Sequence, residues 1–244
     1  MHVRKARFEV HSYEVDAFDD LAAPALAGYL QELAGLQAAE MGCGIDHLMG
    51  RGLTWVLSRQ RIEIDAPIRR GSVLEVATWP SGVERVFAAR EFRVSVGGLP
   101  VARASTLWAV MDLARRRPVR PDRVLAPEFR VAEERLFPLA DELGGADPAD
   151  GEQRFRIRYS DIDRNLHVTN STYLAWALES VPQDTWHDRR VRSTDVHFLA
   201  ECAYGSRVLS RVRALPGGAF AHSVLRDEDG KELARARTAW EPRT

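Results

Sequence analysis

The feature that most constrains this chain is an internal repeat. Ala102-Arg103-Ala104-Ser105-Thr106-Leu107-Trp108 reads like Ala234-Arg235-Ala236-Arg237-Thr238-Ala239-Trp240, with Trp108 and Trp240 132 residues apart. Gly71-Ser72-Val73-Leu74 resembles Gly205-Ser206-Arg207-Val208 at a spacing of 134 residues, and Phe87 and Phe220 open strand-like runs 133 residues apart. Three matches in order, drifting by single residues, are what small insertions in hairpin loops leave after a duplication. A chain of 244 residues then reads as two related units rather than one large domain.

The predicted elements repeat as well. Each half opens with a short strand, over 7–13 and 155–159. Each then carries one amphipathic helix. The first spans 21–41, with Leu26, Tyr29, Leu30, Leu33 and Leu36 at helical spacing, Asp19 or Asp20 as its cap and Gly42 and Gly44 at its end. The second spans 170–181, capped by Asn170, with Tyr173, Leu174, Trp176, Ala177 and Leu178 on its apolar face and Pro182 stopping it. Strands follow at 54–66, 73–79, 87–96 and 101–112, and again at 194–203, 207–215, 219–227 and 232–240. Gly97-Gly98, Gly217-Gly218 and Asp229-Gly230 mark turns between them. One helix followed by hairpin-connected strands is an α+β pattern with an antiparallel sheet. We expect two tandem hot-dog units, each a sheet wrapped around one helix, packed as an internal dimer. The expected domains are residues 1–130 and 153–244, joined by a linker over 131–152. The linking region from Arg117 to Gln153 is rich in proline, and a short helix is expected over 131–143.

Composition narrows the function. Net charge is -1, although 32 of the 34 basic residues are arginine, so nothing in the overall balance points to nucleic acid. No apolar run approaches the roughly 20 residues of a membrane helix, and Met1-His2-Val3-Arg4-Lys5 lacks a secretory pattern, so the expected compartment is the cytosol. Two cysteines, Cys43 and Cys202, make neither a disulfide framework nor a zinc site. There is no GxSxG elbow, P-loop or dinucleotide fingerprint, and no metal or cofactor is expected.

Chemistry concentrates between the second short strand and the second helix, in Arg158-Tyr159-Ser160-Asp161-Ile162-Asp163-Arg164-Asn165-Leu166-His167-Val168-Thr169-Asn170. A helix start favours developing negative charge, Asn165 can donate through its amide, and His167 can donate or exchange a proton near neutral pH. Each residue also has a purely structural reading: Asp163 as a turn or cap residue, Asn165 as an Asx-turn, His167 as a satisfied histidine. The corresponding first-half stretch, 15–26, has Asp16, Asp19 and Asp20 but no Asn or His, and places Ala22 and Ala23 opposite His167. That asymmetry points to one site, in the second half.

Asp163-x-Asn165-x-His167-Val168-x-Asn170, with Tyr173, Trp176 and Glu179-Ser180-Val181-Pro182, resembles the signature of the acyl-ACP thioesterases of plants and bacteria. Leu53-Thr54-Trp55-Val56-Leu57-Ser58-Arg59, Thr78-Trp79, Arg103-Ala104-Ser105-Thr106-Leu107-Trp108 and Glu201-Cys202 extend the resemblance over most of the chain. Arg164, Leu166 and Thr169 depart from the usual loop, and the lack of a plastid transit segment favours a bacterial protein. The resemblance implies hydrolysis of a fatty acyl chain carried on acyl carrier protein, without a cofactor. It implies Asp163, Asn165, His167 and Glu201 as catalytic residues. Glu201 would be the base toward water, Asn165 and His167 would polarise the thioester, and Asp163 would support them.

Strand alternation bears on Glu201 against Cys202. Val196, Phe198 and Ala200 share parity with Cys202, as Ile62, Ile64 and Ala66 do with Ile68, so Cys202 is expected in the core and Glu201, opposite Pro67 of the first half, on the other face. In the family the acyl tail lies in the first unit, where Tyr29, Leu33 and Trp55 are candidates for its lining. Arg115, Arg116, Arg117 and Arg120 are candidates for docking an acidic carrier. A homodimer of the whole chain is left open. The alternatives are an acyl-CoA thioesterase or dehydratase on the same scaffold, or a non-catalytic acyl-binding protein.

Overall fold

The structure, a computed structural model, describes residues 2–127, 134–139 and 142–243. The chain forms two compact units, Met1–Leu139 and Ala140–Thr244. The first contains β1 (Arg4–Glu9), α1 (Ala23–Glu40), α2 (Ile45–Met49), β2 (Leu53–Ile64), β3 (Val73–Glu84), β4 (Phe87–Val96), β5 (Leu99–Asp112) and β6 (Arg117–Val119). The second contains β7 (Gly151–Arg156), α3 (Asn170–Glu179), α4 (Gln183–Asp188), β8 (Arg189–Phe198), β9 (Arg207–Leu215), β10 (Ala219–Arg226) and β11 (Glu232–Pro242). The antiparallel order is β1-β3-β4-β5-β2 in one unit and β7-β9-β10-β11-β8 in the other, with the short β6 added beside the end of β5. Apart from β6, the two units match element for element: an α+β fold, twice.

The repeat read in the sequence is visible as side-chain geometry. Trp108 donates its indole N–H to Thr106 Oγ1 at 2.9 Å, and Trp240 donates to Thr238 Oγ1 at 3.0 Å. Strand ends repeat too. The carbonyl of Val101 accepts from both Asp65 and Ala66, and the carbonyl of Leu233 from both Leu199 and Ala200. One acceptor serving two consecutive donors breaks the ladder spacing, so β2 stops at Ile64 and β8 at Phe198. The expected strands over 54–66 and 194–203 overran these points.

Other expectations are corrected. The first helix is capped by Ala22, not Asp19 or Asp20, and has Pro24 in its first turn, where a missing N–H costs nothing. Gly42 (φ 69°) ends α1 in the left-handed region, whereas Gly44 caps α2. Asn170 is the first residue of α3, and Thr169 is its cap. The first strands lie earlier than expected because their length is set by pairing: β1 against Val73–Thr78 of β3, and β7 against Arg207–Val212 of β9. Tyr13 and Tyr159, placed in strands on propensity, are exposed outside them. The helix expected over 131–143 falls partly outside the described residues, and 134–139 is not helical.

The core lies between sheet and helix. On α1, Ala23, Leu26, Ala27, Leu30, Leu33, Ala34, Gln37 and Ala38 are buried, one stripe at three- and four-residue spacing. On α3, Tyr173, Leu174, Trp176 and Ala177 are buried, with Trp176 stacked on Phe155 at 6.0 Å. The first sheet also has a covered outer face: Phe137 and Leu139 pack on Ala89 and Leu107. Beneath them Glu91, 1% exposed, accepts from Ser81, Ser105 and the Leu136 amide. No helix among the described residues is long and apolar enough to cross a membrane.

Candidate active site

The loop 162–168 is closed by a bridge between Ile162 and Val168 and by Asp163 N–H to the His167 carbonyl at 2.8 Å. Inside it the Asp163 carboxylate accepts the amides of Asn165 (2.8 Å) and His167 (3.3 Å), and its other oxygen accepts from the Asn165 side chain at 3.3 Å. This is an Asx-type turn, in which a short carboxylate replaces backbone acceptors the chain cannot reach. Leu166 takes a left-handed conformation (φ 63°) to complete it and leaves its side chain in solvent. Ahead of the loop Asp161, 2% exposed, accepts the Arg158 amide and guanidinium, while its carbonyl accepts the Thr169 amide. Sequence reasoning missed this anchor, although Arg158-x-x-Asp161 has capping-box spacing.

Val168 N–H donates to the Cys202 carbonyl at 3.0 Å, which fastens the loop to the stretch beyond β8. The result is a pair: His167 Nε2 lies 3.5 Å from Glu201 Oε2, both side chains about half exposed. Cys202 is only 2% exposed, whereas Glu201 is exposed. That burial agrees with the parity expectation, but its cause is different, because residues 199–203 lie outside the strand. Tyr173, from the first turn of α3, closes the site from within. Its ring packs edge-on against Phe198 and Trp176. Burial, then the neighbouring Cys202, Glu201 and Asp163, push its hydroxyl well above the usual tyrosine range, so it stays protonated.

The first unit contains the same loop with different side chains. Val15 bridges Leu21, Asp16 N–H donates to the Asp20 carbonyl at 2.8 Å, and the Asp16 carboxylate accepts the amides of Phe18 (2.9 Å) and Asp20 (3.1 Å). Asp19 takes the left-handed position (φ 67°), and Leu21 N–H donates to the Ile68 carbonyl at 2.7 Å. Asp16 thus corresponds to Asp163, Phe18 to Asn165, Asp20 to His167, and Pro67 to Glu201. This corrects the alignment of His167 with Ala22 and Ala23. The aspartate is kept in both copies, where it serves the turn; the Asn, His and Glu occur in one.

The remaining candidates lie in the first unit. Leu33 is fully buried in the α1 stripe, and the Tyr29 hydroxyl is held by Glu14 and the Glu9 carbonyl while its ring stacks on Phe8. Trp55 donates to the Cys43 carbonyl at 2.8 Å within a partly exposed apolar cluster of Met41, Val83, Ala88 and Val124 over buried Ala38, Cys43 and Leu125. Arg115 and Arg120 are exposed but paired with Asp112 and Asp122, Arg116 takes a left-handed turn position, and Arg117 begins β6. Among the described residues no group of three or more His, Cys, Asp or Glu side chains is placed to hold a metal ion.

Models of the acyl-ACP thioesterase N-terminal domain and C-terminal domain match residues 2–127 and 145–242. The chain belongs to the acyl-ACP thioesterase family. It is 29% identical over 271 residues to the chloroplastic palmitoyl-acyl carrier protein thioesterase of Arabidopsis thaliana, covering 99% of this chain and 65% of that protein. Among solved structures, the 12:0-ACP thioesterase from Umbellularia californica superposes with a TM-score of 0.87 at 26% identity, over 100% of this chain and 99% of that one. An acyl-ACP thioesterase from Bacteroides thetaiotaomicron shares the fold, with a TM-score of 0.88 at 24% identity over 98% of both chains. The chain spans under two thirds of the length of the curated plant relatives it matches first.

Proposed function

We propose that this acyl-ACP thioesterase family member hydrolyses fatty acyl-ACP to free fatty acid and carrier, by general-base activation of water at Glu201. The observation that carries the proposal is the His167–Glu201 pair at 3.5 Å, assembled from residues far apart in sequence and present in only one of two otherwise equivalent loops. At that separation a single water oxygen can lie within hydrogen-bonding distance of both groups. Glu201 takes a proton as the water oxygen attacks the thioester carbonyl. His167 and the Asn165 amide, aimed by Asp163, donate to the developing oxyanion. When the C–S bond breaks, the departing thiolate takes the proton back from Glu201. Cys202, buried and outside the array, has no part in these steps.

We read each unit as a hot-dog, its sheet wrapped on its long helix, with the second unit catalytic. The first is assigned to the acyl tail, with the partly exposed Trp55 cluster as the surface that contacts it and Tyr29 and Leu33 of α1 as further candidates.

A thiol-release assay with acyl-ACP and acyl-CoA of varied chain length tests this reading. Glu201→Ala and His167→Ala should each lower turnover by roughly two to four orders of magnitude, and Cys202→Ala should keep most of it. Absence of thiol release from every substrate by folded wild-type protein would sink it.

A further inference from the structure

Next to the site, and outside it, lies an exposed rim that the chemistry above does not use. Arg156, the last residue of β7, is the register partner of Arg207, the first of β9. Both are exposed, and among the described residues neither guanidinium has a carboxylate within ion-pair distance; Glu228 takes the Arg207 backbone amide instead. Like charges directly opposite each other on neighbouring strands are destabilising. A fold keeps such a pair at little cost only where solvent or an anionic partner faces it. Two large rings flank the pair: Tyr159 is 89% exposed and Tyr204 63%. Ile157 N–H to the Ser206 carbonyl at 3.3 Å ties the two segments together. Arg158 adds a third guanidinium, 73% exposed, held in place by Asp161. Across 154–168 and 199–207 every exposed charged side chain apart from the site's own Glu201 is an arginine, Arg154 among them paired with Asp227.

Tyr and Arg are the side chains that most often anchor protein interfaces, because each combines a large apolar or planar surface with directed hydrogen bonding. This rim sits four residues before Asp163 and three after Glu201. The segments that carry it run directly into the loop with His167 and the stretch with Glu201. Arg115 and Arg120, by contrast, already pair with Asp112 and Asp122.

We propose that Arg156, Arg158, Tyr159, Tyr204 and Arg207 form a docking surface for an acidic carrier protein that presents its thioester to His167 and Glu201. The inference rests on the thioester-hydrolase reading for the identity of its occupant. The arginines would meet surface carboxylates of the carrier, and the tyrosines would cover its apolar positions.

The test separates docking from catalysis. Binding of full-length protein to isotope-labelled holo-acyl carrier protein, followed by NMR, needs no turnover. Arg156→Glu with Arg207→Glu, and separately Tyr159→Ser with Tyr204→Ser, should weaken the carrier complex about tenfold or more. KM for acyl-ACP should rise correspondingly, while kcat/KM for the carrier-free acyl-pantetheine thioester stays within twofold of wild type. Added salt should weaken the wild-type complex and have little effect on the charge-reversed one. Arg115→Glu with Arg117→Glu should bind as wild type. Folded rim variants that bind the carrier as wild type, or a wild-type protein that does not bind it, overturn the docking surface. A wild-type protein that binds the carrier through this rim but releases no thiol keeps the surface and overturns the hydrolase reading.

Discussion

Asp163 is the residue whose role changes most between sequence and structure. In the sequence it stands with Asn165 and His167 as one motif. In the fold it separates from them, because Asp16 holds the first unit's loop with the same two backbone amides. Hydrogen bonds to a carboxylate contribute about 1.5–3 kcal/mol each, so either aspartate is worth a few kcal/mol to its own loop. Asp163→Ala and Asp16→Ala should therefore lower the urea midpoint by similar amounts. Only Asp163→Ala should also lower kcat, by about a hundredfold, since it releases the groups that must face the carbonyl. Equal kcat losses in the two variants would show that the aspartate acts through global stability alone. Asn165 and His167 were legible as residues that the first-half stretch lacks, and Glu201 only through the family resemblance. The correspondence of Asp16 with Asp163 was not. It depends on a spacing of 147 residues ahead of the helix, against 134 after it, and α1 has 18 residues where α3 has 10.

At the scale of elements, the sequence read best where local pattern decides and worst where a partner does. The bounds expected for β4 and β9 agree with the structure, since glycine turns and alternation set them. β1, β7 and β8 were misplaced because their ends depend on the partner's register and, for β8, on the shared acceptor at Leu233. The segment 134–139 lies within the stretch expected to hold a short helix and is not helical. Its order comes from what lies under it: Phe137 under the guanidiniums of Arg61 and Arg103 at 4.6 and 5.2 Å, and Glu91 receiving the Leu136 amide. Phe137→Ala removes the apolar cover from Ala89 and Leu107 and should cost about 3 kcal/mol, read by chemical denaturation. Faster amide exchange at Leu136 should accompany it; unchanged exchange would mean the segment is held by something other than Phe137 and Glu91.

For the whole molecule, the clearest link between folding and solution conditions is a buried histidine that the site does not use. His222 on β10 is fully buried, with Nε2 2.9 Å from Thr238 Oγ1 and Nδ1 3.5 Å from Ser180 Oγ. Burial holds its pKa down to about 3. The unfolded chain takes up that proton near pH 6.5 and the folded chain does not, so this contribution is complete above pH 6.5 and is lost as pH falls toward 3. Between pH 7 and pH 5 the loss is about 2 kcal/mol, in a window above the titration of Asp229 and Glu63, whose pKa values are lowered by their arginine partners. Urea denaturation across that window should show the fall in wild type and a flatter profile in His222→Asn; parallel profiles would assign the pH dependence elsewhere.

The paired loops also set how far apart the two units are at the positions of the proposed site. A site normally has to be built twice over, first as a backbone that can hold the groups and then as the groups themselves. Here the first unit already possesses the backbone, with the carboxylate that braces it, the left-handed residue at its tip and the tie to the stretch beyond β2. What divides the two units at these positions is a phenylalanine, an aspartate and a proline at 18, 20 and 67 against Asn165, His167 and Glu201. In mutational distance that is three codons, on a loop backbone that both units share.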